Sequence, residues 1–142
     1  MKNLVGNLVL VHPDLMVDPA GKQGEVGMIA GADLESDTIV VSFPNNKIGS
    51  YATDALLVLK EPAEIHKLSM NNVLNMDKST FKALLEVNMH QDSGRFSRLA
   101  EAYEIASKNE AVREWSMVSL EEKLTLSIDN EQKQQTQMGM ER

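Results

Sequence analysis

The sequence predicts a mixed α+β protein, a small five-stranded antiparallel barrel over residues 1–60 followed by three or four helices over residues 64–128. Short β-branched runs divided by turn residues fill the first part. After Pro62 the apolar residues recur at helical instead of alternating spacing. From Asp129 to Arg142 the chain is polar and Gln-rich with no apolar face, and reads as a flexible tail.

Leu8–Val11 is the first strand, closed by Pro13. The turn Gly21-Lys22-Gln23-Gly24 leads into the second, Glu25–Ile29, and a polar loop, Ala32–Asp37, leads into the third, Thr38–Phe43. Pro44–Lys47 is a turn because proline fixes φ and asparagine tolerates the left-handed region. Ile48–Tyr51 returns as the other arm of that hairpin, and Leu56–Leu59 is the last strand before Glu61-Pro62. Five strands at this spacing imply a small antiparallel barrel.

Phe81, Leu84, Leu85 and Met89 then mark a helix with Asp77 or Ser79 at its start, broken by Gln91–Gly94. Phe96, Leu99, Ala100, Tyr103 and Ala106 form the cleanest stripe, with Glu104 and Lys108 paired on the other face. Asn109 ends that helix, and Ala111, Val112 and Trp115 suggest a third. From Ser119 two readings stand. Ser119 and Glu122 make a capping box, with Leu120, Leu124 and Ile128 at helical spacing; Leu124, Leu126 and Ile128 also alternate as in a strand. Helix is preferred. The stripe of Phe96, Leu99 and Tyr103 needs a partner and the Lys60–Ala63 link is short, so the helical region is expected to pack on the barrel.

Composition bounds the function. Apolar residues at 42% and charged residues at 25% are globular values. With aromatics at 4% and nine methionines, the core must be built from Val, Leu, Ile, Ala and Met. The net charge is −7, and residues 1–60 and 61–128 are each acidic, which argues against a phosphate-backbone binder. The lack of cysteine excludes disulfides, thiolate catalysis, iron–sulfur clusters and cysteine zinc sites. The N-terminal apolar run is interrupted by Asn7 and ended by His12-Pro13-Asp14, so it reads as a strand and not an export signal. No stretch has the length to span a bilayer. The expectation is a cytoplasmic protein without membrane association.

The run Gly21-Lys22-Gln23-Gly24-Glu25-Val26-Gly27-Met28-Ile29 resembles the KOW motif, a Gly-x-x-Gly-x-Val-x-x-Ile strand–turn–strand pattern. Tyr51-Ala52-Thr53-Asp54-Ala55-Leu56-Leu57-Val58-Leu59 is similar to the ending of Src-homology-3-like barrels, where an aromatic residue, one helical turn and a Leu-rich strand close the barrel. The resemblance covers residues 5–60 and implies a binding module that contacts RNA or protein. Asp14, Asp18, Asp33, Glu35 and Asp37 stand in loops where an RNA-binding surface needs Lys or Arg, which leaves protein contact as the implied role.

Candidate chemistry is sparse. His12, His66 and His90 lack a second ligand at metal-binding spacing. Asp33, Glu35 and Asp37 alternate, but without the remaining ligands of a calcium loop. Gly21, Gly24, Gly27 and Gly31 follow no phosphate-binding pattern and suit barrel geometry. No residue is singled out as catalytic, metal-ligating or cofactor-binding, and no cofactor is expected. Phe43, Tyr51 and Trp115 are the residues best able to anchor a partner, set against the competing role of filling a ring-poor core. The expected function is a non-catalytic protein-interaction module binding another protein. A KOW-type factor associated with nucleic acid or the ribosome is one alternative, and an enzyme without a visible site is another.

Overall fold

A computed structural model describes residues 4–16, 18 and 20–125. Six strands form one antiparallel sheet: β1 (Leu8–Val11), β2 (Val26–Asp33), β3 (Thr38–Phe43), β4 (Lys47–Tyr51), β5 (Leu56–Leu59) and β6 (Met117–Ser119), in the order β4-β3-β2-β1-β5-β6. Between β5 and β6 lie four helices, α1 (Pro62–Asn71), α2 (Lys78–Asp92), α3 (Phe96–Lys108) and α4 (Glu110–Ser116). Residues 120–125 turn helical again.

This corrects the small five-stranded antiparallel barrel expected from the sequence. The sheet is open and has six strands, because the chain returns after α4 and lays Met117–Ser119 along the free edge of β5. Val58 faces Val118 and Leu59 faces Met117 in that register. Among the described residues the helix count also rises, to five with the stretch 120–125. Pro62 opens α1 at a position where its missing N–H costs nothing, a helix that the sequence pattern left undivided.

Alternation along the strands sorts the side chains into two cores. Val9 and Val11 of β1, Ile29 of β2, Ile39, Val41 and Phe43 of β3, Tyr51 of β4, and Leu56 and Val58 of β5 pack on one face of the sheet. Leu120, buried, and Leu124 of the C-terminal helical stretch join this first core. Ser119 caps that stretch by accepting a hydrogen bond at Oγ from the Glu122 N–H, 3.1 Å, so the helical reading holds through residue 125.

The opposite face carries Leu8, Leu10, Leu59 and Met117, packed against Ile65 of α1, Leu84 and Val87 of α2, Ala102, Tyr103 and Ala106 of α3, and Val112 of α4. The Tyr103 hydroxyl accepts a hydrogen bond from the Leu59 N–H at 3.2 Å, tying α3 to β5. Burial pushes the Tyr103 phenol up to about 12, despite the opposing pull of that bond. Phe96, which the sequence places on the buried stripe of α3, is 55% exposed, whereas Leu99 and Tyr103 pack inward.

Several boundaries move by local geometry. β2 runs on through Asp33, past a register shift between Ile29 and Gly31, into the segment expected to be loop. Asp77 stands at the start of α2 without a side-chain cap, and Asn109 both ends α3 and caps α4, accepting from the Val112 N–H at 3.2 Å. The tail expected over Asp129–Arg142 lies outside the described residues.

Leu10 is fully buried between β2, β5 and the helices. Leu10→Ala is expected to lower stability by about 2–5 kcal/mol, as for other buried leucines, and urea unfolding followed by circular dichroism measures it.

Candidate functional site

The structure brings Phe43 and Tyr51 together and leaves Trp115 apart. The rings of Phe43 and Tyr51 meet edge to face, with centroids 6.3 Å apart and planes at 79°. They are 4% and 6% exposed, so their area is spent in the first core and little is offered to a partner. Two glycines make room for them. A Cβ on Gly27 would stand 2.5 Å from Val41 Cγ1 and 2.9 Å from the Phe43 ring, and a Cβ on Gly49 would stand 2.7 Å from Tyr51 Cε2. The Gly27 of the turn–strand motif is therefore a seat for Phe43. Trp115 is half-buried on α4 and packs with the second core, across the sheet from the other two.

At the rim of the ring pair, the Tyr51 hydroxyl donates to Asp18, 2.9 Å from Oδ2 and 3.1 Å from Oδ1. The same carboxylate accepts the N–H groups of Ala20 and Lys22, each at 2.9 Å. Partial burial works to raise the Asp18 carboxyl, but the bonds from Lys22, Tyr51, Ala20 and Gly21 together outweigh it and hold it below the usual range. Tyr51 moves the other way. Burial first, then the bond to Asp18 and the charges of Asp18 and Glu25, push its phenol up. Lys22 completes the group, its Nζ 5.7 Å from the Phe43 ring centre and 3.4 Å from Glu25. The arrangement latches Asp18 and the segment 20–25 onto the hairpin of β3 and β4.

The acidic loop is likewise turned inward on the backbone. Asp33 Oδ1 accepts from the Glu35 N–H at 3.2 Å, while Asp37 Oδ1 accepts from the Thr53 N–H at 2.9 Å and Oγ1 at 2.7 Å. The Thr53 backbone and hydroxyl bonds lower the Asp37 carboxyl. Of the histidines, His12 Nδ1 accepts from the Asp14 N–H, His66 is exposed on α1, and His90 stands 3.5 Å from Glu101. His90, Glu86, Met89 and Arg98 line an open groove of about 270 Å³ between α2 and α3. Among the described residues no group of three acidic or histidine side chains is placed to hold a metal ion, and no helix is long and apolar enough to cross a membrane.

The feature that sequence reasoning missed lies at the corner joining α1 to α2. There Met70, Val73 and Leu74 are 46%, 42% and 95% exposed. α1 turns Ile65 and Ser69 inward, which leaves Met70 on its outer side, and a single 3₁₀ turn, Val73–Asn75, holds Leu74 out in solvent. The signal was available: an apolar Val-Leu pair set among Asn71, Asn72 and Asn75, where a plain turn has no use for it. The chain matches no known family model, no curated protein and no solved structure.

Two measurements test the ring site. Gly27→Ala is expected to cost roughly 1–3 kcal/mol by overpacking against Val41 and Phe43, read from thermal melting. Tyr51→Phe is expected to cost about 1–2 kcal/mol near neutral pH by removing the bond to the Asp18 carboxylate. Because the folded Asp18 pKa is depressed, this contribution is present above about pH 4 and is lost as the pH falls through the lowered value. Melting curves of the two proteins should therefore converge in acid, and a gap that stays constant down to complete protonation would refute the assignment.

Proposed function

We propose that the protein is a non-catalytic interaction module that binds another protein, and that it docks through the α1–α2 corner. The observation that carries this reading is Leu74, a large apolar side chain 95% exposed and flanked by the exposed Val73 and Met70. A scattered surface leucine is ordinary, but three neighbouring apolar side chains held outward by a helix end and a 3₁₀ turn form a patch. Apolar knobs of this kind gain free energy when a partner covers them. Met adapts its shape to what it meets, which suits a contact surface. What the corner offers at its tip is apolar contact area, which suits binding. The anchoring role expected of Phe43, Tyr51 and Trp115 passes to residues that leave the core intact.

Selection from a displayed library of random peptides tests the reading. The wild-type protein is expected to enrich binders, and Leu74→Ser is expected to abolish enrichment while its melting temperature stays within a few degrees, since an exposed side chain contributes little to folding. Equal enrichment by the variant, or none by the wild type, would refute the corner as a docking site.

A further inference from the structure

We infer that the partner segment at the α1–α2 corner is an acidic peptide carrying apolar anchor residues. The inference rests on the reading of that corner as a docking site and adds the chemistry of its occupant.

Charge supplies the reason. The chain as a whole is acidic at −7, yet residues 66–82 hold three lysines, Lys67, Lys78 and Lys82, against one acid, Asp77. All three lysines are exposed. Lys67 lies one turn before Met70 on α1, on the same side of the helix, and Lys78 and Lys82 are one turn apart at the start of α2. The apolar tip at Val73 and Leu74 thus sits between a lysine that precedes it and two that follow it.

Among the described residues these lysines, like Lys47, Lys60, Arg95 and Arg113, are not held by an acid of the chain, whereas four other cations are. Lys22 pairs with Glu25, Lys108 with Glu104, Arg98 with Glu101, and Lys123 with Glu61 at 3.0 Å. Among the described residues, Lys67, Lys78 and Lys82 form no ion pair. Lys78 also stands in the first turn of α2, where the helix dipole disfavours positive charge. No ion pair within the described residues accounts for their placement, and the helix dipole opposes that of Lys78. A partner that brings carboxylates to the rim and apolar side chains to the centre accounts for it, since a charged rim steers the encounter and rejects like-charged competitors.

The remaining candidates fit less well. A second copy of this chain would bring an equally cationic corner to a symmetric contact, so the lysines would oppose each other. An anionic membrane would attract the three lysines but repel the acidic remainder of the molecule. A peptide segment is small enough to see the corner alone.

The test extends the peptide selection to the variant Lys67→Glu/Lys78→Glu/Lys82→Glu, whose substituted positions are all exposed. The wild type is expected to enrich peptides rich in Asp and Glu with spaced Leu, Ile, Phe or Trp. The variant is expected to enrich basic apolar peptides instead, a reversal that misfolding cannot produce. A synthetic peptide copied from the wild-type pool should bind the variant about tenfold or more weakly, and should lose affinity for the wild type as salt rises. Enrichment of neutral or basic peptides by the wild type would overturn the acidic chemistry while leaving the docking corner standing. No enrichment by either protein would overturn both. Leu74-dependent sedimentation with phosphatidylserine vesicles, or Leu74-dependent dimerisation in analytical ultracentrifugation, would each overturn the choice of a peptide.

Discussion

β1 has four residues, Leu8 to Val11, and every side chain on it is buried. Val9 and Val11 enter one core while Leu8 and Leu10 enter the other, so a single short strand holds both layers of the molecule in register. Its backbone is engaged on both sides by β2 and β5. A one-residue slip would exchange the two valines for the two leucines and spoil both cores together. This explains why the run has no polar alternation: a strand with protein on both faces has no solvent side to mark.

The junction between sheet and helices is held by polar groups with defined partners. Gln91 Nε2 donates to the Lys60 carbonyl at 3.0 Å, and Asn88 Nδ2 donates to the Pro62 carbonyl at 3.1 Å, so α2 satisfies the backbone where the chain leaves β5. The Lys60 N–H donates to Ser116 across the same seam, and Lys123 reaches the Leu59 carbonyl at 3.2 Å. Buried Ser69 and Ser116 return their hydroxyls to the carbonyls one turn back, at 2.7 and 2.6 Å. Buried polar groups that are fully paired cost little and fix one arrangement over its neighbours.

Much of this was written in local pattern. The strands at 8–11, 38–43 and 56–59 follow from β-branched runs between turns, and α2 and α3 from apolar spacing, because those signals are confined to a few adjacent residues. β6 was not legible. Met117-Val118-Ser119 is a three-residue strand with no alternation to read, and it becomes a strand only because β5 offers an edge. Phe43 and Tyr51 were singled out as partner anchors with core filling as the competing role, and their seats on Gly27 and Gly49 depend on cross-strand register that no local pattern displays. Leu74 was visible as an apolar residue in an Asn-rich turn, yet its exposure depends on where α1 and α2 point their other side chains.

The order of the strands in the chain gives the molecule an unusual timetable during synthesis. Five strands leave the ribosome within the first 59 residues, but the strand that covers the outer edge of β5 is not made until residue 119. Throughout that interval a nascent chain carries β5 with one row of backbone donors and acceptors unpaired, beside an apolar face still waiting for its helices. A ribosome stalled within α2 or α3 would hold out a sticky sheet edge, the sort of surface that holdase chaperones capture. The last few residues of the sheet thus decide when the growing chain stops being a hazard to its neighbours.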